Sequence, residues 1–388
     1  MNIGEKKLVL PLPQIDLTQL NNKTVLVRLD LNLVFDGETL VDQTRWDKVV
    51  PTIRHIRSAN PKRVVLLTHF GRPKKQESCW STERLLPVIQ KDFPETRYVK
   101  QYDPNLTESI VLLENTRFNH GEYDNDVTGL DDMILHMDCL IFDAFSVGHR
   151  DHASVTGLID QYPQVYFGPH FIQEQLSIDA SLSGETPRVA IIGGAKISTK
   201  LPLLNTLIDW ADHLIVGGGI ANTLLLANGC QMGDSLVESQ SLGQAKDILA
   251  RCADKLILPV DGITNTGACV SFDKATLNAD EQILDIGPQS LMRIEQTIQS
   301  AKTIIWNGPL GYFERRPFNH GSEQVAKFIA HSNAFSIVGG GDSLSLINQL
   351  GLQDQYTYIS TSGGAFLSYL AEGSLSVINT WRACHETH

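Results

Sequence analysis

The chain has 388 residues, of which 42% are hydrophobic and 20% charged, with a formal net charge of −12. That length favours two domains over one, and the composition is that of a water-soluble globular protein. Divided at residue 170, the first part holds 19 Lys+Arg against 23 Asp+Glu (−4) and the remainder 13 against 21 (−8), so neither part has the basic field that nucleic acids require, and any anion must be held by a local cluster of Arg and Lys.

Met1 to Lys7 contain no long apolar segment and no small-residue cleavage site, so no secretory signal is expected. Apolar, β-branched runs then predict strands at 24–29, 63–68, 111–113 and 139–142, and again at 189–192, 214–216, 256–258, 303–305, 335–338 and 357–360. Amphipathic helical patterns separate many of them, which implies parallel sheets covered on both faces. Gly168-Pro169 breaks the pattern. Phe171, Ile172, Gln175, Leu176 and Ile178 then line a connecting helix, which Gly184-Glu185-Thr186-Pro187 ends. The expected protein is therefore α/β, with two doubly wound, Rossmann-like parallel-sheet domains over 1–169 and 187–371 and a hinge helix over 170–186. No run of 18 apolar residues suggests a membrane span; the longest apolar stretch, near 214–227, is broken by three glycines and Asn222.

Open parallel sheets bind ligands beyond the carboxyl ends of their strands. In the first half those positions hold Asp30 and Asn32, then His69, Gly71 and Arg72, then Asn115 and Arg117, then Asp143, His149 and Arg150, with Arg45 in the loop between the first two strands. In the second half they hold glycine-rich turns: Gly193-Gly194, Gly217-Gly218-Gly219, Asn307-Gly308-Pro309, Gly339-Gly340-Gly341-Asp342 and Ser362-Gly363-Gly364. The first domain offers side-chain cations to a small anion, and the second offers backbone amides to a nucleotide.

Residues 189–200 carry the sharpest signal. A strand, a glycine turn and a helix start aim free backbone N–H groups at an anion. Lys196 and Lys200, four apart, share one face of the opening helical turn and oppose the helix dipole, a cost that a bound polyanion removes. Ordinary surface lysines are the rival reading of the same pair. Two familiar nucleotide motifs are missing: no G-x-x-x-x-G-K-[ST] occurs, and neither Gly217/Gly219 nor Gly339/Gly341 has a third glycine at the dinucleotide spacing. The six cysteines, at 79, 139, 230, 252, 269 and 384, form no C-x-x-C pair and no zinc spacing, which fits a reduced, cytoplasmic setting.

Eight segments in order resemble phosphoglycerate kinases: Arg28-Leu-Asp-Leu-Asn32, Thr68-His-Phe-Gly-Arg-Pro73, Leu113-Glu-Asn-Thr-Arg117, Asp143-Ala-Phe-Ser-Val-Gly-His-Arg150, Gly193-Gly-Ala-Lys196, Leu284-Asp-Ile-Gly-Pro288, Trp306-Asn-Gly-Pro309 and Gly339-Gly-Gly-Asp342. The resemblance implies reversible phosphoryl transfer between 1,3-bisphosphoglycerate and ADP, giving 3-phosphoglycerate and ATP with Mg2+, by a monomeric, hinge-bending, glycolytic transferase of the cytoplasm without nucleic-acid or membrane partners. It implies that Asp30, Asn32, Arg45, His69, Arg72, Arg117 and Arg150 hold the phosphoglycerate. Gly193, Ala195, Lys196, Lys200, Gly217, Gly218, Asn307, Pro309, Glu314, Gly339, Gly340, Gly341, Asp342 and Ser343 would serve the nucleotide, with Glu314 on the ribose hydroxyls and Asp342 on the metal. Arg45, Lys196, Lys200 and the amides at Gly340 and Gly363 would act on the transferred group. The C-terminal tail, about 372–388, would pack back on the first domain, and 168–187 with the 360–365 loop would form the hinge.

Each role has a plainer rival: a surface salt bridge for a single Arg, a helix N-cap for Asp342, a solvated loop carboxylate for Glu314. The chain also departs from the family pattern. Ser362 stands for the first of three glycines, a strained choice if that position needs φ > 0. Val34 replaces a usual proline, Ser146 a usual glycine, Tyr312 a small aliphatic and Thr199 a frequent Asp. Two alternatives to an active kinase follow: a nucleotide-binding relative with catalysis weakened at Ser362 and an interaction role, or a phosphotransferase with a different small acceptor.

Overall fold

The computed structural model describes residues 11–272 and 277–385. The expectation for Met1 to Lys7 lies outside the described residues, as do the last three residues of the tail. The chain divides into two units, one comprising residues up to Leu176 together with the segment from Ser374, the other Ser177–Gly373.

The first unit contains β1 (Thr24–Leu29), β2 (Val34–Asp36), β3 (Thr39–Asp42), β4 (Arg63–Thr68), β5 (Arg97–Val99), β6 (Ile110–Leu113), β7 (Cys139–Asp143) and β8 (Val165–Phe167). Six of these form a parallel sheet in the order β5-β6-β4-β1-β7-β8, and β2 pairs with β3 in a separate antiparallel hairpin. β1, β4, β6 and β7 are buried along their whole length, as a sheet covered on both faces demands. Helices α1 (Thr44–Arg57), α2 (Leu86–Asp92) and α3 (Asp131–His136) belong to this unit. Trp46, Ile53 and Ile56 of α1 pack on Val25, Val27 and Leu29, and Phe93 closes the cluster.

Helix α4 (Pro169–Leu182) crosses the division between the units, which falls between Leu176 and Ser177. Phe171 and Ile178 are fully buried, but Leu176, expected on the same apolar face, is 55% exposed. At about 100° per residue it lies some 140° round the helix from Phe171, so the apolar stripe passes it by.

The second unit contains β9 (Arg188–Ile192), β10 (His213–Val216), β11 (Leu256–Ile257), β12 (Asp261–Thr264), β13 (Cys269–Ser271), β14 (Ile283–Ile286), β15 (Thr303–Asn307), β16 (Phe335–Gly339) and β17 (Tyr358–Ser360). The main sheet is parallel in the order β11-β10-β9-β15-β16-β17, and β13-β12-β14 form a small antiparallel sheet. Its helices are α5 (Leu201–Trp210), α6 (Gly218–Ala227), α7 (Leu242–Cys252), α8 (Pro288–Ser300), α9 (His320–Ala330), α10 (Gly341–Leu350) and α11 (Gly363–Glu372). Helix α12 (Ser376–His385) then returns to the first unit. There the Val377 amide donates to the Gly148 carbonyl at 2.9 Å, and Trp381 meets Phe167 edge-on with ring centroids 6.0 Å apart.

All ten expected strands are present, within two residues at each end. Seven short ones (β2, β3, β5, β8, β12, β13 and β14) were not expected, because none exceeds four residues and an apolar run that short carries little periodicity. Arg45, expected in a loop, lies in the first turn of α1.

Trp306 is fully buried in the second unit's core, and its indole N–H donates to the Gly308 carbonyl at 2.9 Å. Replacing a buried aromatic by alanine costs about 3–5 kcal/mol. Trp306→Ala should therefore lower the urea midpoint of the second unit's unfolding by a corresponding amount; an unchanged midpoint would contradict its place in the core.

Candidate functional site

In the first unit the site is built on the ends of β1, β4, β6 and β7. Asp30, just past β1, is 6% exposed. One Arg45 nitrogen lies 3.1 and 3.0 Å from its two carboxylate oxygens, the Asn32 amide donates to Oδ1 at 3.1 Å, and the Ser146 hydroxyl donates to Oδ2. Burial alone would raise this carboxyl, but Arg45, His69, Ser146 and the Asn32 amide together hold it well below the usual range. Asn32 accepts the Gly71 amide at 2.7 Å, tying the end of β1 to the end of β4. Asn115, past β6, uses both ends of its amide: Oδ1 accepts from the Phe70 and Arg117 backbone, and Nδ2 donates to the Phe70 and Trp80 carbonyls. This locks the His69–Arg72 and Asn115–Arg117 segments to each other.

Around that frame positive charge exceeds negative. Arg28 on β1 is 1% exposed; its Nε donates to Ser154 Oγ at 3.2 Å, and burial lowers its pKa to about 10. An Arg28 nitrogen lies 3.5 Å from His69 Nδ1. Burial depresses His69 well below its ordinary value, against the pull of Asp30, so the ring is neutral at pH 7. Arg117 is lowered by burial and by the fields of Arg150 and Arg72, with Tyr123 and Glu122 opposing, which brings Arg72, Arg117 and Arg150 into one electrostatic neighbourhood. The Nε–H groups of Arg117 and Arg150 are buried and donate to no partner. Buried donors left unmet are costly, and an anion seated among them would satisfy them.

All seven phosphoglycerate candidates, Asp30, Asn32, Arg45, His69, Arg72, Arg117 and Arg150, thus belong to this one sheet edge. Sequence reading quoted Arg28 within a motif without giving it a role, and missed Ser154 and Glu122. Glu122 is 1% exposed and accepts the Ser154 amide at 3.0 Å and hydroxyl at 2.7 Å, and burial raises its pKa against the pull of Arg28. A buried Arg inside a strand calls for such a carboxylate, but nothing in the spacing says where in the chain it lies. Asp143, by contrast, is structural: it accepts the Thr52 hydroxyl and the Phe171 amide at the start of α4.

In the second unit the strand order reverses between β9 and β15, and the glycine turns that follow these strands meet there. A Cβ on Gly193 would lie 1.9 Å from the Pro309 carbonyl oxygen, so only glycine permits this approach. Lys200 directs its ammonium into the junction, donating to the Gly193 carbonyl at 2.8 Å, the Asn307 carbonyl at 3.3 Å and the Asn307 side-chain oxygen. Burial lowers its pKa to about 8, with Asp342 acting against the shift. The expected pairing of Lys196 and Lys200 on one helical face is corrected. The segment Ser198–Lys200 is a 3-10 turn, and α5 begins only at Leu201, with Pro202 in its first turn. Lys196 therefore lies outside the helix and is exposed, while Lys200 is half-buried.

Asn307 also donates to the Gly339 carbonyl at 2.6 Å, and the Gly308 amide donates to Ser343 Oγ at 2.9 Å. These bonds place the start of α10 beside the β15 turn. Gly340 precedes α10 at φ 108, and Asp342 is the second residue inside the helix and exposed, not its N-cap. Ser362 adopts φ −96, and the positive φ falls on Gly363 instead. The strain expected at Ser362 is absent, and with it the ground for a weakened enzyme.

A cavity of about 420 Å³ adjoins these turns. Gly194, Ala195, Gly218, Pro309, Glu314 and Asp342 line it, together with Leu225, Leu236, Phe272, Tyr312 and Asp285. Apolar walls with a few polar groups suit a nucleoside. Asp285, quoted within a motif but given no role, accepts the Gly321 and Ile286 amides at 2.8 and 2.9 Å beneath Gly311. Burial raises it to about 7. Among the described residues no group of three or more His, Cys, Asp or Glu could hold a metal. A single exposed carboxylate, Asp342, fits Mg2+ that keeps its waters and takes the rest of its ligands from nucleotide phosphates.

A guanidinium-lined anion cradle on one parallel sheet, and a glycine-walled cavity with a half-buried lysine on another, define a phosphotransferase. The phosphoglycerate kinase family model matches residues 15–373. Phosphoglycerate kinases of Legionella pneumophila (strain Lens) and Rhizobium meliloti are 40% and 37% identical, over 92% and 95% of this chain and 94% and 98% of their own. The structure of phosphoglycerate kinase from Coxiella burnetii superposes with a TM-score of 0.88 at 34% identity, covering 96% of this chain and 99% of that one. That from Pyrococcus horikoshii gives 0.83 at 28%, covering 95% and 98%. The chain belongs to the phosphoglycerate kinase family.

Burial lowers His149, His152 and His170, all in the first unit, to about 4. Their folded pKa values lie below the unfolded value of 6.5, so the unfolded chain binds more protons in this window and stability is lost as pH falls from about 7 towards 4. Urea titrations at pH 7, 6 and 5 should show a falling midpoint for the first unit; a constant midpoint would contradict these shifts.

Proposed function

We propose that the chain catalyses reversible phosphoryl transfer between 1,3-bisphosphoglycerate and ADP, giving 3-phosphoglycerate and ATP. The observation that carries this reading is the pair of buried guanidinium Nε atoms, Arg117 and Arg150, with Arg117 and the Asp30–Arg45 pair all acting on His69. They form a cradle whose unmet donors match a phosphate, which Arg can grip with parallel hydrogen bonds.

Towards ATP consumption the nucleophile is the carboxylate of 3-phosphoglycerate. With a pKa near 3–4 it is already ionised, so no general base is needed. The neutral His69 fits a hydrogen-bonding role rather than proton abstraction. The barrier is electrostatic, since one anion must approach another, and catalysis consists of alignment and charge neutralisation. Arg45 neutralises the acid side. Lys196 and Lys200 serve the nucleotide phosphates and the group in transit, and the α10 and α11 amides at Gly340 and Gly363 add fixed dipoles. Glu314 holds the ribose hydroxyls. Asp342 would hold Mg2+, which when bound would supply charge neutralisation on the phosphates. Because acid and nucleotide are carried by different units, transfer requires closure, with α4 and the 360–365 loop as hinges, and closure excludes water from the acyl phosphate. The same reading carries a monomer in a reducing cytoplasm, in keeping with six free cysteines. No described helix is long and apolar enough to cross a membrane.

A coupled assay should detect ATP consumption that depends on 3-phosphoglycerate; none at all would defeat the reading. Lys196→Ala should lower kcat about 100-fold or more, the scale of one electrostatic contact to the transferred group, while the KM for 3-phosphoglycerate stays within threefold. Asp342→Asn should raise the Mg2+ concentration for half-maximal rate, and an unaltered Mg2+ dependence would remove Asp342 from the metal site.

A further inference from the structure

Ser146 lies in the short turn Phe145–Val147 that follows β7. Phe145 and Val147 on either side are 1% and 3% exposed, and the Gly148 amide closes the turn on the Phe145 carbonyl at 2.9 Å. The serine is therefore presented from a fixed platform, and its hydroxyl donates to Asp30 Oδ2. Asp30 draws its other donors from the Asn32 amide, within its own turn, and from Arg45, a long side chain that is 31% exposed. An arriving anion competes with Asp30 for Arg45. The Ser146 hydroxyl and the Asn32 amide are too short and too firmly held to follow. Ser146 is thus the side chain that keeps the Asp30 carboxylate in one orientation once Arg45 turns to substrate.

That orientation matters because of what a carboxylate can do in this place. The carboxylate and phosphate of 3-phosphoglycerate are anionic and repelled by Asp30. The one neutral donor on the molecule is its 2-hydroxyl, and Asp30 can only accept. We propose that Ser146 is a positioning residue that aims Asp30 at the acceptor's hydroxyl, and so helps the site select hydroxy acids over acids without that group. The inference rests on the proposed function and deepens it, at a position where the family resemblance places a glycine, which has no hydroxyl to give.

The test is Ser146→Ala, with Ser146→Gly as a second variant that removes the same hydroxyl and suits the turn. A charge-assisted hydrogen bond governs about a tenfold change in affinity. Both variants should raise the KM for 3-phosphoglycerate about tenfold and leave the KM for ATP within twofold. The inhibition constant of 3-phosphopropionate, the same skeleton without the hydroxyl, should stay within twofold of wild type. An unchanged KM for 3-phosphoglycerate in both variants overturns the inference. So does an equal loss with 3-phosphopropionate, which would make Ser146 a merely structural member of its turn. A wild-type enzyme that consumes no ATP with 3-phosphoglycerate defeats the underlying reading itself, and that outcome is distinguishable from either of these.

Discussion

The constraint on which the sites depend is positive charge held under burial in excess of its partners. Arg28, Arg117 and Lys200 all carry pKa values lowered first by desolvation. Each has hydrogen-bond acceptors, but chiefly neutral ones: a serine hydroxyl, backbone carbonyls and the Asn307 side chain. Carbonyl dipoles orient a cation without neutralising it. The folded protein therefore holds its sites in a state that an anion relieves, and binding energy comes partly from ending that mismatch. Among the described residues, the buried carboxylates that act on Arg28 are Glu122 and Asp30, and both are engaged by hydroxyl and amide donors as well.

Rigidity is the second half of the arrangement. The cations would relax by moving if they could. The Asn115 amide spans two post-strand loops, and the glycine turns of the second sheet meet backbone to backbone with no room for a methyl group. Asp285 does similar service under the Gly311 turn. Such supports cost little in sequence, yet they fix where the guanidinium and ammonium groups stand, which is what alignment of two reacting anions requires.

Much of this was legible in the sequence, for a physical reason. Strands buried on both faces must be apolar runs, so β1, β4, β9 and β15 announce themselves, and the polar residues that end them mark the ligand edge. Short pieces such as β5 and β12–β14 carry too few residues to show a period. Side-chain direction was the harder matter. Lys196 and Lys200 read as one helical face, but the helix starts after both, and the two ammonium groups part company. Ser362 read as a strained glycine substitute, yet the left-handed backbone falls one residue later, on Gly363. Glu122 and Ser146 were invisible as partners because their importance arises only once β1 is threaded beside them.

The path of the backbone has a further consequence. It leaves the first unit at Leu176 and rejoins it at Ser374, so that unit is discontinuous in sequence while the second is continuous. On a ribosome the second unit has all its residues as soon as Gly373 emerges, but the first must wait for α12 and for Trp381 to reach Phe167. The order of completion is thus the reverse of the order of synthesis. A nascent chain halted shortly before Ser376 would carry a finished second unit and a first unit with an open seam.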